Sequence, residues 1–202
     1  MGYHVLAIDY RGYGDSDWFI PSQTSMVEDA RAAFDFLNCR AHPLANIFIW
    51  GHSLGTGVTS KLAHDLSIDE NVEQKPKGLI LEAPFNRMLD EVQTFKASRI
   101  LPFLGFSIDH VLSRADMSFD NRKWLKEVNE PVLILHAEDD GVIPFDLGKK
   151  LFQDLKDDGN NVQLHPFQEK LALGHDGIFM AQVPESLSVI ITRFINDSTQ
   201  FD

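Results

Sequence analysis

Apolar residues in this chain gather in short, nearly unbroken runs, separated by stretches whose period shifts to that of a helix. Tyr3–Asp9 (YHVLAID) is such a run and predicts a parallel strand buried on both faces. Asn46–Trp50 (NIFIW), Gly78–Ala83 (GLILEA) and Pro131–His136 (PVLILH) repeat the signature, and Val162–Phe167 reads as a weaker fifth strand. Between them the spacing changes. Val27, Ala30, Phe34 and Leu37 recur at helical intervals, and Ser25 with Glu28 has the form of a capping box. Gly57–Leu66 continues a helix that starts just after Ser53, and Phe145–Lys156 is amphipathic. Pro184 suits the first turn of a last helix. Strand and helix alternate, so the pattern predicts an α/β fold: a mainly parallel sheet with helices on both faces.

Residues 86–130 break the alternation. The segment is long, holds Pro102 and Gly105, and mixes aromatics with charges. An insertion of that kind, between the third and fourth visible strands, is expected to act as a lid; a plain helix pair covering the core is the alternative. The whole chain, 1–202, otherwise reads as one domain.

Charge narrows the partners. The formal net charge of -12 argues against a nucleic-acid surface and disfavours docking to anionic headgroups. The single cysteine, Cys39, excludes an internal disulfide, and nothing in its spacing suits zinc. No metal and no cofactor are expected. The longest uncharged apolar stretch, Ile100–Ile108, is broken by Pro102 and Gly105 and falls short of the roughly 18 residues of a membrane span. The chain also opens directly into strand-like sequence, so no signal peptide is expected within it.

Chemistry concentrates at Gly51-His52-Ser53-Leu54-Gly55. A Gly-x-Ser-x-Gly turn between a strand and a helix strains the central residue and lifts its hydroxyl into the open. It also aims the Leu54 N–H at a developing oxyanion, while Gly51 and Gly55 let the chain pass close to itself. The plainer alternative is a glycine turn whose serine caps a helix. A serine hydroxyl needs a base, and eight histidines are available. His52 is expected to point away from Ser53, and His175 stands apart in a glycine-flanked loop (LGHDG) after the last strand. The nucleophile-elbow order is serine, then acid, then histidine, which His175 fits. For the acid, Glu138, Asp139 and Asp140 compete in the loop after strand VLILH, and charge repulsion allows at most one to be buried.

GYHVLAIDYRGYGDS, IWGHSLGTGV, LILEAPF and LILHAEDDGVIPFDLGKKLF resemble the α/β-hydrolases, and within them the subfamily of α/β-hydrolase domain-containing protein 12. Together these segments span most of residues 2–155, and the pairing of GHSLGTG with HAEDD-x-V-x-P is far narrower than the serine motif alone. The resemblance implies an α/β-hydrolase fold and an acid at the Asp of D-x-V-I-P, which selects Asp140 and leaves Asp139 as the alternative. It implies serine hydrolysis of lysophosphatidylserine-type lysophospholipid or monoacylglycerol, with part of the specificity in the lid. It further implies an endoplasmic-reticulum location through an upstream anchor helix; with no targeting segment in this chain, a cytoplasmic form is the alternative. Membrane association is expected only through that anchor. The family's first three strands and the loop with its second oxyanion donor have no counterpart in these residues, so the chain is expected to be N-terminally truncated, with that donor absent. His175 is followed by Asp-Gly where the resemblance leads one to expect a basic residue.

Three functions compete on this reading. The first is a lipid carboxylesterase, with Phe95, Phe103, Phe106 and Trp124 of the insertion shielding an acyl chain. The second keeps the triad and acts on a protein thioester or a peptide. The third is a non-catalytic fragment that binds lipid or a partner.

Overall fold

The computed structural model describes residues 2–42, 45–90, 108–181 and 186–199. Helix α1 (Gln23–Arg40) leads into strand β1 (Phe48–His52) and helix α2 (Leu54–Ile68). Strand β2 (Gly78–Glu82) is followed by two short helices, α3 (Ile108–Arg114) and α4 (Asn121–Leu125). Strand β3 (Val132–Ala137), helix α5 (Phe145–Asp157), strand β4 (Val162–Phe167) and helix α6 (Leu187–Thr199) complete the order.

The four strands are parallel and pair in chain order, β1-β2-β3-β4. Right-handed crossovers that all step the same way place the connecting helices on one face. There Leu79, Leu81, Val132 and Ile134 pack against Ala63 of α2, Leu125 of α4, and Leu151 and Leu155 of α5. The alternate residues Ile80, Leu133 and Leu135 point to the other face, where α6 covers them with Ile190, Ile191 and Phe194. Period-two side chains and two-sided cover explain why β2 and β3 read as unbroken apolar runs.

Two local expectations are corrected. Tyr3–Asp9 is not a strand: it makes no ladder with the sheet, and Val5 is 87% exposed. An apolar run states that a segment needs cover, but a strand also needs a hydrogen-bonded neighbour, and among the described residues β1 pairs with β2 alone. β1 is accordingly an edge of the described sheet, with Trp50 45% exposed. The capping box is also displaced. Ser22 is extended and caps α1, accepting from the Ser25 N–H while the Ser25 hydroxyl accepts from the Ser22 N–H. Glu28 is thereby freed to pair with Arg11 at 2.7 Å.

The insertion divides. Residues 91–107, including Phe95, Phe103 and Phe106, lie outside the described residues. α3 buries none of its side chains. Beyond it the chain joins the core: Phe119 and Trp124 meet edge to face at 6.3 Å among Met26, Val27, Val58 and Phe85. Trp124 is thus a core residue, 6% exposed, and the alternative reading holds for it. Pro184 lies outside the described residues, and α6 is described from Leu187.

Candidate active site

Parallel strands end on one edge of the sheet, so the loops after them converge. Ser53 follows β1, Glu82 ends β2, Asp140 follows β3 and His175 follows β4. The elbow forms because β1 turns straight into α2. Ser53 takes φ 53°, ψ −121°, a conformation that side chains disfavour. Several contacts hold it there. The Ser53 N–H donates to Glu82 O at 2.9 Å, and Ser53 O accepts from the Thr56 hydroxyl at 2.6 Å. Buried Asn121 in turn donates to that hydroxyl at 3.1 Å. Gly51 has to be small, since a Cβ there would collide with the Gly55 carbonyl and the Thr59 hydroxyl. At Gly55 an added Cβ meets nothing, so its part in the turn is played by its backbone.

Ser53 Oγ lies 2.9 Å from His175 Nε2, and His175 Nδ1 lies 2.8 Å from Asp140 Oδ2. Since a carboxylate only accepts, Nδ1 carries the proton and Nε2 is left to accept from the serine. The Asp140 side chain is fully buried, and its Oδ1 accepts from the N–H groups of Val142 and Ile143 at 2.8 and 2.9 Å. Burial pushes this carboxyl up, but hydrogen bonds from His136 and His175 and from those two N–H groups outweigh it and hold the pKa at about 2. Leu54 opens α2, where an N–H has no intrahelical acceptor and the helix dipole is positive. His175, on the loop after β4, shows 11% of its side chain to solvent, enough to face a reacting group.

Of the two carboxylates that competed most closely for the acid, Asp140 is the one that reaches the imidazole. Asp139 instead accepts the Gly174 N–H at 2.8 Å, one residue before the histidine. Glu138 is exposed. His52 departs from expectation. It turns toward the site, with its Nε2 3.1 Å from His175 O and its ring 4.8 Å from the His175 ring. A backbone carbonyl offered by the facing loop is reason enough for the ring to fold inward. Asp176 lies 3.7 Å from the same His52 nitrogen. His52, His175 and Asp176 each bring a ligand atom within 4.8 Å of the others. Both His175 nitrogens are already engaged by Asp140 and Ser53, so a metal held there would break that line. Glu82 was not singled out from sequence. Burial raises its pKa, opposed by nearby His52 and by the hydrogen bond from Trp50 Nε1 at 3.1 Å. The signal for it was legible: a carboxylate ending an otherwise apolar strand.

Fold and site geometry are those of an α/β-hydrolase. The family described as serine aminopeptidase, S33, matches residues 1–124, and this chain belongs to it. Among curated proteins, the lysophosphatidylserine lipase ABHD12 of Danio rerio is 39% identical over 196 residues, covering 93% of this chain and 50% of that protein. Its counterpart in Xenopus tropicalis is 38% identical over 209 residues, 99% of this chain and 52% of that protein. The chain therefore spans about half the length of the curated relatives it matches. Among solved structures, an alpha-beta hydrolase from Vibrio vulnificus superposes with a TM-score of 0.69 at 25% identity, over 94% of this chain and 61% of that one.

Proposed function

We propose that this chain carries the catalytic machinery of a serine hydrolase that cleaves carboxylic esters of lipids, lysophospholipid of the lysophosphatidylserine type or monoacylglycerol. The observation that carries the reading is the unbroken line Asp140–His175–Ser53, with the serine strained at the head of a helix. Ser53 Oγ attacks the ester carbonyl as its proton passes to His175 Nε2. The oxyanion forms against the Leu54 N–H, where the α2 dipole is positive. Asp140, ionised and desolvated, holds His175 in the tautomer that accepts this proton and stabilises the imidazolium. His175 then returns the proton to the leaving alcohol, and water releases the acid by the same route in reverse. No residue in this sequence of steps needs a metal.

The substrate class rests on the two ABHD12 relatives, which are named as lysophosphatidylserine lipases. The lid within 86–130 and an endoplasmic-reticulum membrane location belong to the same proposal. Among the described residues no helix is long and apolar enough to cross a membrane. The family description supports a peptide as one competing acyl group, and a protein thioester is the other. The test is turnover of matched acyl chains on lysophosphatidylserine, monoacylglycerol, a thioester and a peptide amide. The two lipid esters are expected to exceed the thioester and the amide by at least about tenfold in kcat/KM, some 1.4 kcal/mol of transition-state discrimination. Faster turnover of thioester or amide would replace this assignment.

A further inference from the structure

β3 is buried along its whole length and apolar except for His136, whose side chain is fully buried. An imidazole placed there costs free energy unless its nitrogens are hydrogen-bonded. His136 Nε2 lies 2.9 Å from Ile143 O and 3.4 Å from Asp140 Oδ2. Both are acceptors, so Nε2 carries the proton and shares it between them. Nδ1 has no hydrogen-bond partner among the described residues and faces α5 at Gly148. A Cβ on Gly148 would overlap that nitrogen, so α5 gives up a side chain to seat the ring. Phe145 closes the pocket edge to face at 5.6 Å. A buried nitrogen without a partner and a glycine inside a helix both cost stability. A leucine at 136 with alanine at 148 would avoid both.

What the imidazole supplies is a closed ring of polar contacts around the acid, one of them a hydrogen bond to the Ile143 carbonyl. Asp140 Oδ1 accepts the Ile143 N–H, Ile143 O accepts from His136 Nε2, and the same Nε2 reaches Asp140 Oδ2. That Oδ2 is the oxygen that accepts the His175 Nδ1 proton. We propose that His136 is a positioning residue for the reaction, with its Nε2–H fixing both the carboxylate of Asp140 and the backbone of its loop so that Oδ2 stays in line with His175. The inference rests on the reading of Ser53, His175 and Asp140 given above.

The test compares His136→Leu, His136→Gln and Gly148→Ala, each first checked for a cooperative thermal melt. One readout is the proton NMR resonance of His175 Nδ1–H, which a short hydrogen bond to a carboxylate moves far downfield and which needs no turnover. The other is kcat and KM on an ester. In His136→Leu the resonance is expected to shift upfield or vanish, and kcat to fall about 10²-fold with KM within about twofold, as a misplacement of about 1 Å costs. His136→Gln, whose amide N–H can still reach Ile143 O, is expected to recover much of both. Gly148→Ala, which displaces the ring without removing it, should fall between. A folded His136→Leu with the parent resonance and parent kcat overturns the proposal. So does loss in every variant, glutamine included, that tracks only the melting temperature, since that marks an ordinary core residue. If the parent turns over no ester yet its resonance is lost in His136→Leu, the positioning role stands and the proposed activity falls.

Discussion

Ser53→Ala is expected to lower ester turnover by about 10⁶-fold, to the residue of rate that binding and the oxyanion site supply alone. The geometry explains the size of the effect. The hydroxyl is what His175 Nε2 addresses at 2.9 Å, and alanine leaves nothing there to attack the carbonyl. Stability should hardly change, within about 0.5 kcal/mol, because the site is partly open and the backbone remains strained. Ser53→Gly separates strain from chemistry. With φ at 53°, glycine relieves a conformation that costs other residues about 1–3 kcal/mol, so that variant should be equally inactive and melt higher. Steady-state kinetics beside calorimetry reads both. Retention of more than about 1% of parent turnover by either variant is incompatible with a nucleophile at this position.

Asp140→Asn is expected to cost about 10⁴ in kcat, and Asp139→Asn less than about tenfold. The two substitutions are nearly isosteric, so packing is held constant. At 140 the amide loses the charge that stabilises the imidazolium. It can also present an N–H to His175 Nδ1, which favours the tautomer with its proton on the wrong nitrogen. At 139 the carboxylate accepts, among the described residues, the Gly174 N–H, and an amide oxygen can still do that. Measuring kcat for both separates a group that acts on the imidazole from one that holds its loop. Equal losses would remove Asp140 from the role of acid.

These positions differ in how far sequence could reach them. Ser53 was legible because a glycine turn between an apolar strand and a helix has few other uses, and His175 because chain order and a glycine-flanked loop set it apart. β2 and β3 were legible because both faces of each are covered, which writes itself as an unbroken apolar run. Tyr3–Asp9 carries the same signature without the same outcome, since apolarity encodes the need for cover and not the presence of a pairing neighbour. The capping box forms at Ser22 and Ser25 rather than Ser25 and Glu28, and Glu28 pairs instead with Arg11, distant in sequence. Long-range polar contacts of this kind were out of reach generally. That His52 folds in to meet His175 O, 123 residues away, is a property of two loops meeting, and no local spacing records it. Trp124 shows the limit for aromatics: in an insertion it suited either a lid or, more readily, a core, and its neighbours Phe119 and Phe85 decide for the core.

The central claim is that Ser53 is a nucleophile assembled by His175 and Asp140, and covalent labelling tests it most directly. A fluorophosphonate reacts with a serine only when a base activates it, and mass spectrometry of the digested protein locates the adduct. The account predicts one phosphonyl group on the peptide bearing Ser53, lost in Ser53→Ala and strongly slowed in His175→Ala. A folded parent protein that takes up no label, or takes it up on a different residue, would contradict it.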